Sequence, residues 1–125
     1  MALRVLLVED NALAAEATMA ALRTVGHIVA GVTSAEAALA LWEPGGCDVV
    51  ITDVALPGMS GWDLLERLHR REPGLPVVVV TGSVPEEGAA DPRQGKALCL
   101  LVKPVDPEDL LSRLGPPAEG RRSGP

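Results

Sequence analysis

The sequence predicts a doubly wound α/β fold, a parallel sheet with helices on both faces. Short, nearly continuous apolar runs recur every twenty-odd residues, the pattern of strands buried on both sides. Between them lie stretches whose apolar residues repeat at helical spacing, long enough to carry a helix back across the sheet. Most of these runs also end on an acid, a threonine or a lysine, which gives one edge of the sheet a chemical character.

The first strand is read at Arg4–Val8, followed by Glu9 and Asp10. Ala15, Met19, Leu22 and Val25 then form a helical stripe that Gly26 ends. A second strand falls at Ile28–Val32, and Thr33 or Ser34 can cap an alanine-rich helix whose Glu36 suits the positive end of the helix dipole. The third strand, Val49–Thr52, runs into Asp53. Ser60 can cap the next helix, which turns Leu64, Leu65 and Leu68 inward and Glu66, Arg67 and Arg70 outward. Val77–Val80 and Leu98–Val102 complete five strands, and a last helix opens at Asp106-Pro107-Glu108 and stops at Gly115-Pro116.

One segment resists this rhythm. Residues 85–95 should hold the fourth helix, yet they carry two prolines and two glycines, so at most one or two turns are expected there. Residues 116–125 mix Gly, Pro, Ser and two arginines, with Ala118 the one apolar side chain; they read as a disordered tail behind a single domain at 1–115.

Composition narrows the function. A net charge of −6 argues against a direct nucleic-acid ligand, because such affinity rests on clustered cations. The chain has no Tyr and no Phe and only Trp42 and Trp62, so it lacks the usual stacking platforms for bases or flavin rings. Its apolar runs are too short to insert in a membrane. The opening residues lack the basic region and long apolar segment of a signal peptide, which predicts a cytoplasmic protein. Cys47 and Cys99, far apart and without neighbouring histidines, read as two reduced, buried thiols.

Ligands of open α/β sheets bind beyond the carboxyl ends of the strands. There the first strand delivers Glu9 and Asp10, the third Asp53, the fourth Thr81 and the fifth Lys103. Singly, each could be a turn residue, a cap or a surface ion pair. Together they converge on one edge, where close carboxylates repel by about 4 kcal/mol per pair at an effective dielectric near 20. A hard divalent cation with oxygen ligands relieves that repulsion, and Mg²⁺ characteristically takes one or two carboxylates together with a phosphate oxygen. Asp53 then becomes a candidate nucleophile, with Lys103 and the Thr81 hydroxyl as partners for phosphoryl oxygens.

Val-Glu-Asp-Asn at 8–11, Thr-Asp-Val-Ala-Leu-Pro-Gly-Met-Ser-Gly at 52–61, Val-Val-Val-Val-Thr-Gly at 77–82 and Val-Lys-Pro at 102–104 resemble the motifs of response-regulator receiver domains, from about Leu3 to Leu114. The resemblance implies a flavodoxin-like sheet of order 2-1-3-4-5. It implies Asp53 as phosphoacceptor, Glu9, Asp10, Asp53 and the Ala55 carbonyl as Mg²⁺ ligands, Thr81 as switch hydroxyl and Lys103 as phosphoryl partner, with Lys103-Pro104 in cis. The phosphoryl donor would be a histidine kinase or histidine phosphotransfer protein, and the domain would catalyse its own phosphorylation and dephosphorylation without being an enzyme on other substrates. The chain would stand alone or come from a hybrid kinase, as a monomer or weak homodimer, with its downstream protein target unspecified.

The sequence departs from the family at Leu100. Receivers usually carry Tyr or Phe three residues before the lysine, a ring that turns inward when the threonine moves. With the fourth helix also disrupted, phosphate capture looks intact while the usual output route does not. A competing phosphohydrolase would need a second acid two residues after the nucleophile, and position 55 is Ala. The remaining alternative is a degenerate receiver that acts as a phosphorylation-independent interaction module.

Overall fold

In a computed structural model of the chain, residues 3–82 and 90–114 are described. Strands β1 (Arg4–Val8), β2 (Ile28–Val32), β3 (Val49–Asp53), β4 (Val77–Thr81) and β5 (Cys99–Val102) alternate with helices α1 (Ala12–Thr24), α2 (Ala35–Leu41), α3 (Gly61–Arg71) and α4 (Pro107–Leu114). A short 3₁₀ helix at Pro92–Lys96 lies between β4 and β5. The strands form one parallel sheet in the order β2-β1-β3-β4-β5, the predicted flavodoxin-like topology.

Strand pleating divides the core in two. Leu6, Val8, Val50, Val77 and Val79 face α2 and α3, where they meet Leu64, Leu65 and Leu68. Their neighbours Val5, Leu7, Val49, Ile51, Val78 and Val80 face α1 and α4, against Leu22, Leu110 and Leu114. Leu64, Leu65 and Leu68 are wholly buried; each fully buried leucine contributes about 1.5–3 kcal/mol of transfer free energy.

The helix starts follow their capping residues. Ser34, rather than Thr33, accepts from the Ala37 N–H at 3.0 Å, and Ser60 accepts from the Asp63 N–H at 3.1 Å. Asn11 caps α1 by accepting from the Ala14 N–H at 2.9 Å. Gly26, at φ 95°, takes the left-handed conformation that ends α1, where a side chain would be strained.

Five details differ from the sequence reading. β3 and β4 each run one residue further than predicted, through Asp53 and Thr81. Val25 is 53% exposed because α1 ends at Thr24, one residue short of extending the buried stripe. β5 starts at Cys99, leaving Leu98 outside the strand and half-exposed. Of the two cysteines, Cys47 is buried, but Cys99 is only partly so. In the expected fourth helix, residues 83–89 lie outside the described residues; the remainder is the single 3₁₀ turn at 92–96, started by Pro92 and capped by Asp91. The expected tail at 116–125 also lies outside the described residues. Among the described residues, no helix is long and apolar enough to cross a membrane.

Candidate functional site

Parallel pairing brings the carboxyl ends of β1, β3, β4 and β5 to one edge, and the register sets what meets there. Asp53 is the last residue of β3 and pairs with Val80, while Thr81 pairs with Val102, next to Lys103. The backbone continues the lattice beyond the strands. Glu9 N–H donates to Val32 O, Val54 N–H to Val80 O and Lys103 N–H to Thr81 O. Lys103-Pro104 is cis, as the resemblance implies.

Two of the three acids are buried: Glu9 is 8% exposed and Asp53 5%. Lys103 Nζ lies 2.7 Å from Asp53 Oδ2 and 3.0 Å from Glu9 Oε2. Burial works against the Lys103 ammonium, but its bonds to Asp53 and Glu9 outweigh that and raise its pKa above the usual lysine value. The second oxygens are held by backbone. Glu9 Oε1 accepts from the Asn11 N–H at 3.0 Å, and Asp53 Oδ1 accepts from the Ala55 N–H at 3.3 Å.

Asp10 stands exposed beside this pair, and one carboxylate oxygen from each of Glu9, Asp10 and Asp53 lies within 4.8 Å of the others. The set suits Mg²⁺. Bonds of about 2.1 Å place opposite ligands of an octahedron roughly 4.2 Å apart, so small side-chain rotations would bring these hard oxygen donors to the required spacing. The structure thus brings together Glu9, Asp10, Asp53 and Lys103, with Thr81 on the adjoining strand end. Ala55 touches the cluster through its N–H.

The loop after Asp53 is fitted to this edge. Gly61, the first residue of α3, packs so closely that a Cβ there would overlap the Asp53 carbonyl oxygen. Glu36 of α2 reaches across to accept from the Met59 N–H at 3.1 Å, pinning the loop from the other side. Glu36 in this role, and Asn11 in steadying Glu9, were not singled out from sequence. The capping preference of Asn before an alanine-rich helix was a readable signal for Asn11; the Glu36 contact spans 23 residues and had none.

A second cluster lies outside the site. Arg93, in the 3₁₀ turn, bonds Asp91 through two nitrogens at 2.9 Å and reaches α3 at Asp63 (2.8 Å) and Glu66 (3.3 Å). The hydrogen bond from Arg93 comes first among the causes that hold the Asp63 and Asp91 carboxyls below their ordinary pKa.

Comparison with known proteins agrees with this arrangement. The family described as response regulator receiver domain matches residues 5–115. The response regulator protein FleR of Pseudomonas aeruginosa is 38% identical over 124 residues, covering 99% of this chain and 26% of FleR. The sensory transduction protein RegX3 of Mycobacterium tuberculosis is 34% identical over 110 residues, covering 88% of this chain and 48% of RegX3. A CheY-like receiver domain from Methanospirillum hungatei superimposes with a TM-score of 0.81 at 31% identity, over 91% of each chain. The non-phosphorylated HemR receiver domain of Leptospira biflexa gives 0.79 at 28% identity, over 89% of this chain and 90% of that one. The chain therefore belongs to the response regulator receiver domain family of two-component signalling. It spans half or less of the length of these two curated relatives, and receiver domains of this family bind Mg²⁺ at an acidic cluster such as the one formed here.

Proposed function

We propose that residues 1–115 form a receiver whose Asp53 accepts a phosphoryl group from a histidine kinase or histidine phosphotransfer protein. The observation that carries this reading is the meeting of Asp53, Glu9, Asp10 and Lys103 on one sheet edge, with both Asp53 oxygens oriented by donors. An Asp53 carboxylate oxygen attacks phosphorus in line. The phosphorus–nitrogen bond of the donor phosphohistidine breaks, and its electron pair returns to the imidazole, which takes up a proton.

Glu9, Asp10 and Asp53, with the Ala55 carbonyl, would hold Mg²⁺, which when bound supplies positive charge for the phosphoryl oxygens. Lys103, released from its pairing with Asp53, bonds one of those oxygens and Thr81 donates its hydroxyl to another. In the reverse half of the cycle, water attacks the same phosphorus and the Asp53 oxygen leaves as carboxylate. The site thus catalyses only its own phosphorylation and dephosphorylation. As a signalling domain it would work as a monomer or weak homodimer, on a protein target reached through its surface.

The test is labelling by acetyl phosphate with Mg²⁺, read by intact-protein mass. The wild type should gain the mass of one phosphoryl group and Asp53→Asn none, because an amide does not attack phosphorus as a carboxylate does. Equal labelling of both would move the acceptor elsewhere, and absence of labelling in the wild type would favour a phosphorylation-independent interaction module.

A further inference from the structure

The two faces of the sheet are filled with different materials. Both tryptophans lie in the cluster under α2 and α3, and the chain has no Phe or Tyr to place on the other side. The cluster under α1 and α4 is therefore aliphatic. Where α1 faces α4 it presents the short side chains of Ala14, Ala17 and Thr18. A cleft of about 440 Å³, open to solvent on one side, remains between the two helices, floored by the strands. Its volume lies within the range of small-molecule sites. A 40 Å³ hollow lined by Ala17, Thr18, Ala21, Val105 and Leu110 continues it along the seam.

One end of this apolar space is charged. Glu9, Asp53 and Lys103 line it, two carboxylates against one ammonium, with Asp10 beside them. A carboxylate can accept about four hydrogen bonds, and each of the two buried acids accepts two from the described residues: Glu9 from Asn11 and Lys103, Asp53 from Ala55 and Lys103. Acceptor capacity and negative charge thus remain at the mouth of a pocket whose body is hydrocarbon.

We propose that this cleft is a binding site for a small amphipathic cation, an ammonium group on a compact apolar body. The head bonds Glu9 and Asp53, and the body lies between Ala14, Ala17, Thr18 and Leu110. Because the head uses the carboxylates assigned to Mg²⁺, the two cations exclude one another, and an occupant of the cleft blocks phosphoryl capture. The regulatory consequence rests on the reading of Asp53 given above; binding to the metal-free chain does not.

The probe is phenethylammonium, titrated into the metal-free full chain and followed by amide chemical shifts. Saturable shifts should appear at Ala14–Thr18 and Val105–Leu110, and 2-phenylethanol should bind about tenfold more weakly, since its hydroxyl offers the carboxylates one neutral donor in place of a charged group with three. Mg²⁺ should raise the apparent Kd of the amine by the factor one plus the ratio of free Mg²⁺ to its own Kd, as mutual exclusion requires. Ala17→Leu and Thr18→Leu, which fill the cleft from α1 without touching the acids, should abolish amine binding and leave Mg²⁺ binding and acetyl phosphate labelling intact. Shifts without saturation, equal affinity for amine and alcohol, or unchanged amine binding in both leucine variants would overturn the proposal. Loss of Mg²⁺ binding and labelling in the wild type, with amine binding retained, would instead overturn the phosphoacceptor reading.

Discussion

Individual side chains at the acid edge have separable jobs. Gly61 is needed for space: a methyl group there collides with backbone, which cannot swing aside as a long side chain can. Gly61→Ala should therefore displace the Asp53 main chain, slowing acetyl phosphate labelling at least tenfold and lowering the urea midpoint; labelling at the wild-type rate would contradict the close fit. His27 shows how a buried residue far from the site sets a pH limit. Its Nδ1 accepts from the Leu3 N–H at 3.1 Å, tying the start of β1 to the end of α1, and burial holds its pKa below the ordinary 6.5. Since the unfolded chain protonates more readily, this contribution is complete above about pH 6.5 and is lost as pH falls towards the lower folded-state value. The urea midpoint should drop between pH 7.5 and 5, and His27→Asn, whose amide oxygen can accept the same bond, should flatten that drop.

At the scale of elements, the strands were legible because burial on both faces produces unbroken apolar runs such as Val77–Val80, and α3 because Leu64, Leu65 and Leu68 repeat at helical spacing. Element ends were less legible. Val25 continues the periodicity of α1 but belongs to its cap, and Leu98 looks like strand yet precedes β5. The connection before β5 shows the limit most clearly. Two prolines and two glycines announce a weak helix, but nothing local announces that Arg93 joins the turn to Asp63 and Glu66, about thirty residues away. The partly exposed carboxyls of Asp63 and Asp91 are held low chiefly by the hydrogen bond from Arg93, so the clasp persists above their ordinary pKa near 3.8 and weakens as pH falls below it. Arg93→Ala should speed amide exchange at residues 93–96 in low salt, and the wild type should approach the variant in high salt; identical exchange in both would show that packing alone holds the turn. Leu100 carries a second consequence for signalling. It packs, half-buried, against the α2–α3 cluster and has neither the reach nor the hydroxyl of a tyrosine, so its rotamers offer little free energy to bias a two-state change. Beryllofluoride should shift amides at residues 55–60 and near Thr81 more than those at Cys99–Val102; a cooperative change centred on β5 would mean that another residue replaces the ring.

For the molecule as a whole, the site follows from topology. Glu9, Asp10, Asp53 and Lys103 are dispersed over 95 positions, and only the parallel order β2-β1-β3-β4-β5 gathers them. Their gathering was legible because each lies at or just beyond the end of a strand in the motif order of a known family; the cleft beside them was not, because it arises from volumes missing between α1 and α4. An assembled acid cluster also links folding to metal. Only the native chain presents the site, so Mg²⁺ at a hundred times its Kd should add about 2.7 kcal/mol of stability and raise the melting temperature by several degrees, with a smaller rise in Asp10→Asn. The most direct test of the central claim, that this edge holds metal and phosphoryl group together on Asp53, is a calorimetric titration of the full chain with beryllofluoride in the presence and absence of Mg²⁺. One-to-one binding by the wild type should require Mg²⁺ and be lost in Asp53→Asn. Binding that persists without Mg²⁺, or equally in Asp53→Asn, would contradict it.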